Sequence, residues 1–185
     1  CREQNIGTHL DGARLYMMCG ANGISPGDYS ELFDTVYVSM YKYFGAPFGA
    51  IVAGSEEFCD GLYHDRRMFG SGLSSSAFAA ALALESIDGF QKKFSDAMIK
   101  GRSLFKGLNE VDGVEIGRYE HGSNIFPVNF TRSVNIEHLS NRLKEQWIFL
   151  PNGPDDHGHW NMTLNTTILR QSNDEIVSAW QKAMP

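Results

Sequence analysis

The chain has 185 residues, 42% of them hydrophobic and 21% charged, the make-up of a folded globular protein of one to two domains. With 16 Lys and Arg against 22 Asp and Glu the net charge is −6, so no overall field favours nucleic acid or an anionic membrane, and any anion site must be local. The longest apolar run, 77–87, is well short of the roughly 18 residues a membrane-spanning helix needs, and three cysteines without zinc-like spacing point to a reducing, cytoplasmic setting.

The opening "CREQNIGTHLDGAR" has neither a Met nor a basic-then-apolar leader and reads as a start inside a longer protein. A buried strand is expected over 5–11, then a helix over 13–23 that Gly20 and Gly23 stop. The β-branched alternation of 34–40 predicts a second strand, followed by a glycine-rich turn carrying Lys42 and a third strand over 50–54. Strand, helix, strand in that order predicts a largely parallel sheet. Helices over 75–86 and 89–108 follow, the first apolar on every side and so expected to be buried, by a second chain if this one cannot cover it.

The segment 112–130 reads as two strands around a Gly-bearing turn. After it come a helix over 135–146, a strand over 147–150, a Pro/Gly/Asp-rich loop over 151–158 and a strand over 161–168. The last helix opens with Ser172 and Glu175, a capping box ahead of Ile176, Val177 and Trp180 on one face. The shift from helices to mixed elements near 108–112 predicts two domains, 1–108 and 109–185.

The chemistry concentrates in the first 75 residues. Asp11 and Arg14 of "HLDGAR" fall just past the C-terminal end of a predicted parallel strand, where open α/β sheets bind ligands. Taken alone, the motif reads better as Asp11 capping the next helix and Arg14 making a surface pair. Lys42 stands among Tyr41, Tyr43 and Phe44, so its amine either snorkels to water or is held in a pocket for chemistry. An aspartate at one strand end and a lysine 31 residues later (42 − 11) at the end of the next is the arrangement pyridoxal phosphate requires. The carboxylate keeps the pyridine nitrogen protonated, and the amine binds the aldehyde. The "DDHGHW" run at 155–160 has two His and two Asp, but loop clusters of this spacing are solvated more often than metal-bound, and no metal is expected.

The segments "THLDGARLY", "FDTVYVSMYKYFGAPFGAIVAGS" and "RRMFGSGL", in this order, resemble the low-specificity threonine aldolase and aromatic amino acid β-eliminating lyase group of fold-type I pyridoxal phosphate enzymes. The resemblance covers about residues 5–75. It implies an α/β fold, the second half of a fold-type I large domain followed by a small α+β C-terminal domain. It implies Lys42 as the Schiff-base lysine, Asp11 as partner of the pyridine nitrogen, and Arg14 near the substrate carboxylate or a cofactor oxygen. His9 would support the site, Ser39 would help hold the phosphate end, and Arg66 or Arg67 would reach the phosphate. The implied activity is retro-aldol cleavage of a β-hydroxy amino acid to glycine and an aldehyde. Alternatives are β-elimination, transamination or a non-catalytic remnant domain.

Two departures qualify the resemblance. Family members carry an arginine on a C-terminal strand, whereas here no arginine occurs in 160–172 before Arg170. The phosphate loop and ring-stacking histidine that precede "HLDGAR" in the family are also absent, so the chain reads as the C-terminal half of a subunit. By itself it is expected to be inactive, and to act as a homo-oligomer or with the missing half.

Overall fold

The computed structural model describes residues 1–151 and 153–184; Asn152, inside the loop expected over 151–158, lies outside the described residues. The chain divides into two compact units, Cys1–Lys92 and Lys93–Pro185. The division falls within one long helix whose C-terminal end is the 108/109 boundary expected from sequence.

The first unit begins with strand β1 (His9–Asp11), shorter than expected: Asn5, which ends a short 3-10 helix over residues 2–4, has a left-handed φ of 52° that a strand does not adopt. Helix α1 (Leu15–Asn22) runs through Gly20 and ends at Gly23, whose φ of 80° is the left-handed conformation that glycine adopts without strain, its N–H returning to the Cys19 carbonyl. Helix α2 (Pro26–Ser30) was not expected, although Ser25 caps it by accepting from the Asp28 amide and Pro26 occupies its first turn. Strand β2 (Thr35–Ser39) lies parallel to β1, with Leu10 opposite Val36 and Asp11 opposite Tyr37. Leu15, Cys19 and Val36 form a buried cluster that Leu10, Tyr29, Phe33 and Val38 surround, so α1 is fastened to the two strands by its apolar side.

Strand β3 (Ala50–Ala53) is antiparallel to β2, so the sheet expected to be largely parallel is mixed. The reason is length: residues 40–49 make a closed turn, Met40 N–H donating to the Gly49 carbonyl at 3.0 Å, and a parallel crossover needs a dozen residues or more. Helix α3 (Glu56–Met68) follows, with Ser55 accepting from the Phe58 amide and Glu56 and Glu57 in the first turn, a start signal present in the sequence but unread. Helix α4 (Ser76–Ile87) buries only Ala79 and Ala83. Phe78 is 77% exposed and Leu84 70%, so the burial expected from its apolar sequence is not realised within this chain.

Helix α5 (Phe90–Leu108) carries into the second unit and buries Phe94, Ala97, Met98, Leu104, Phe105 and Leu108 at helical spacing. Strands β4 (Val114–Ile116), β5 (Ile125–Phe130) and β6 (Trp160–Thr163) form an antiparallel sheet in that order. The Phe105 and Phe126 rings meet at 4.6 Å between α5 and β5. Helix α6 (Ile136–Lys144) buries Leu139 and Leu143, and helix α7 (Asn173–Ala183) buries Trp180.

Two strand expectations fail here. Residues 147–150 are not a strand, because the Trp147 and Ile148 amides close the end of α6 on the Lys144 and Leu143 carbonyls. The strand expected over 161–168 stops at Thr163, because the Asn165 side chain accepts from the Thr167 amide and starts a 3-10 helix, Thr166–Arg170.

The capping box on α7 is complete: Glu175 accepts from the Ser172 amide at 2.7 Å, and Ser172 Oγ accepts from the Glu175 amide at 3.2 Å. The hydrogen bonds from Ser172 hold the Glu175 carboxyl below its ordinary range. A lowered folded pKa stabilises the fold above the unfolded value, and that contribution disappears as pH falls through the folded one. Denaturation midpoints should therefore drop more steeply for the native protein than for Glu175→Gln between about pH 5 and pH 3.

Candidate functional site

The site is built where β1 and β2 end side by side. Asp11 is the last residue of β1, and its Oδ1 accepts from the Ala13 amide at 3.1 Å, bending the chain sharply at the sheet rim. Gly12 permits the bend: a Cβ there would lie 2.7 Å from the Tyr37 carbonyl of β2, so a side chain would force the strands apart. On the neighbouring strand the chain passes from Ser39 into the turn that carries Lys42. Phe44 anchors that turn, fully buried with its ring 5.0 Å from Tyr16, 4.4 Å from Tyr43 and 5.1 Å from Phe90. Burial pushes the Tyr43 phenol up to about 12.

Tyr43 and Phe44 are thus packed inward, while Lys42 and Tyr41 are exposed, the Lys42 Nζ 5.7 Å from the centroid of the Tyr41 ring. Lys42 and Asp11 line one open cavity of about 480 Å³, together with His9, Ala13, Tyr37 and Val52. Strand pairing explains the set, since Asp11 faces Tyr37 on one side and Tyr37 faces Val52 on the other. His9 Nδ1 is 2.8 Å from Thr35 Oγ1, which fixes the ring at the cavity wall.

The other expected residues do not line this cavity. Ser39 is fully buried, and its Oγ donates to the Tyr37 hydroxyl at 3.0 Å. Arg14 is the exposed N-cap of α1. Arg66 and Arg67 are exposed near the end of α3, with Arg67 donating to the Tyr63 hydroxyl at 3.3 Å. Sequence reading missed Ala13, Tyr37 and Val52. Ala13 sits in the same motif as Asp11 and could have been found, whereas Tyr37 and Val52 follow only from the strand register.

A larger cavity of about 820 Å³ lies within the second unit, walled by residues including Leu104, Ile148, Phe149, Met162 and Trp180, with Arg170 on its lining. Its lining includes none of the expected site residues. In the "DDHGHW" loop the Asp155 carboxylate accepts from the His157 and His159 amides and the Asn161 side chain, a structural turn. Among the described residues no group of three or more His, Cys, Asp or Glu is placed to hold a metal. No helix among them is long and apolar enough to cross a membrane.

Chemically, the cavity offers a primary amine that can condense with an aldehyde. It also offers a carboxylate that can pair with a cationic ring nitrogen, and small apolar walls from Ala13 and Val52 suited to a planar ring.

Residues 1–130 match the beta-eliminating lyase family. The chain is similar to the low-specificity L-threonine aldolase of Candida albicans, 39% identical over 88 residues, or 48% of this chain and 24% of the relative. It is also similar to low-specificity L-threonine aldolase 1 of Arabidopsis thaliana, 24% identical over 99% of this chain and 51% of that one. A solved structure from Exiguobacterium sp. 255-15, provisionally assigned as an aromatic amino acid β-eliminating lyase or threonine aldolase, shares the fold. Its TM-score is 0.80 at 24% identity over 99% of this chain and 54% of that chain. The chain therefore spans at most about half the length of these relatives.

Proposed function

The chain belongs to the beta-eliminating lyase family, whose fold is that of the fold-type I pyridoxal phosphate enzymes, and on that premise we propose that it carries the lysine and aspartate of an active site cleaving β-hydroxy amino acids as a threonine aldolase does. The observation that supports this reading above others is the convergence of Lys42 and Asp11 on one cavity at the ends of parallel β1 and β2.

When bound, the cofactor supplies an electron sink for the pair left at Cα when the Cα–Cβ bond breaks. Lys42 would hold the cofactor aldehyde covalently, and its amine, when free, would carry a proton. Asp11 would keep the ring nitrogen protonated. His9, fixed by Thr35, supports the wall of the site. Arg14, outside the cavity lining but next to Ala13 in it, would bind the substrate carboxylate from the rim, and Arg66 or Arg67, exposed on α3, would reach the phosphate, planar guanidinium groups suiting both anions. The residues present fit the cofactor's amine and ring-nitrogen requirements. The phosphate cup and the remaining contacts come from sequence outside this chain.

That division makes the chain the C-terminal half of a subunit, with 1–108 completing the large domain and 109–185 forming the small one, and inactive in isolation. The exposed Phe78, Leu82 and Leu84 of α4 favour burial against the rest of the subunit or a second copy in a cytoplasmic homo-oligomer.

The test uses the full subunit with pyridoxal phosphate, measuring glycine released from L-threonine, L-allo-threonine and an aromatic β-hydroxy amino acid. Glycine is expected, and Arg14→Ala should raise KM for every substrate about tenfold to a hundredfold. If cofactor is bound but no substrate yields glycine, aldol cleavage is wrong and β-elimination or transamination takes its place.

A further inference from the structure

Ser39, fully buried and donating to the Tyr37 hydroxyl at 3.0 Å, has neither the surface nor the proton to hold a ligand directly. Tyr37 precedes it by two residues on the same face of β2. Tyr37 does line the cavity, alongside Asp11 and Lys42. It is the middle residue of the cross-sheet row Asp11, Tyr37, Val52. A phenol that accepts from a buried serine keeps its own O–H free to donate, and among the described residues that O–H has no acceptor.

We propose that Tyr37, oriented by Ser39, is the hydroxyl this site presents to an anionic oxygen of the cofactor, either its phosphate or its ring phenolate. Ser39 is then a positioning residue acting through Tyr37, and the strand register explains why Tyr37 escapes a reading by motif. Hydrogen bonds from a neutral donor to an anionic oxygen are among the stronger ones, so losing this one should be measurable in binding. The assignment rests on the pyridoxal phosphate reading given above.

The experiment measures dissociation constants of pyridoxal phosphate and of pyridoxal, which lacks the phosphate, by absorbance titration of the full subunit. The proteins compared are wild type, Tyr37→Phe, Ser39→Ala and the double variant, with thermal melts run in parallel. Tyr37→Phe is expected to weaken pyridoxal phosphate binding about tenfold to a hundredfold. Ser39→Ala should weaken it less, and the double variant should match Tyr37→Phe alone. Weakening confined to pyridoxal phosphate assigns the phosphate, and equal weakening for both compounds assigns the phenolate. Unchanged binding of both compounds by Tyr37→Phe, or additive losses in the double variant, overturns the proposal. Should Ser39→Ala fail to fold, Tyr37→Phe decides alone. A wild-type subunit that binds neither compound defeats the cofactor reading and this assignment with it.

Discussion

Lys42→Ala in the full subunit is expected to abolish covalent attachment of pyridoxal phosphate and to lower turnover by at least about a thousandfold. Both effects follow from loss of the amine that holds the aldehyde and carries the proton. The variant should fold normally, because Lys42 is exposed and its turn is held by Phe44 and by the Met40 to Gly49 hydrogen bond. Retained melting temperature with lost absorbance near the visible range is the expected pattern. Turnover within tenfold of wild type would remove Lys42 from the chemistry.

Asp11→Asn is the second large effect. Asparagine keeps the shape and can still accept from the Ala13 amide, so the bend at the end of β1 survives. On the proposed reading, what it removes is the charge that would keep the ring nitrogen protonated. A charge-assisted hydrogen bond contributes about 1.5 to 3 kcal/mol, or about tenfold to a hundredfold in cofactor affinity, and the loss of the electron sink lowers turnover further. The checks are the cofactor dissociation constant and steady-state rates. A variant with both near wild-type values would mean that Asp11 only shapes the turn, as an ordinary cap would.

The sheet rim was legible because its signals are local. Alternating β-branched residues marked β2, and the spacing from Asp11 to Lys42 brought both to strand ends. Ser172 and Glu175 marked the start of α7. What could not be read depends on relations between distant residues. The antiparallel run of β3 follows from how the 40–49 turn closes, and Tyr37 joins the site only through its pairing with Asp11 and Val52. The strand expected over 147–150 had suitable side chains, but its first amides were already committed to the end of α6. Propensity gave way there to the hydrogen bonds of a neighbouring element. Helix α4 shows the opposite case: its sequence is apolar on every side, yet it buries only Ala79 and Ala83 and leaves Phe78, Leu82 and Leu84 exposed.

The most direct test of the central claim is borohydride reduction of the full subunit incubated with pyridoxal phosphate, followed by peptide mass spectrometry. A single pyridoxyl adduct is expected on the peptide containing Lys42, absent when Asp11→Asn prevents stable binding at low cofactor concentration. Labelling spread over surface lysines such as Lys93, or no label on Lys42, would contradict it.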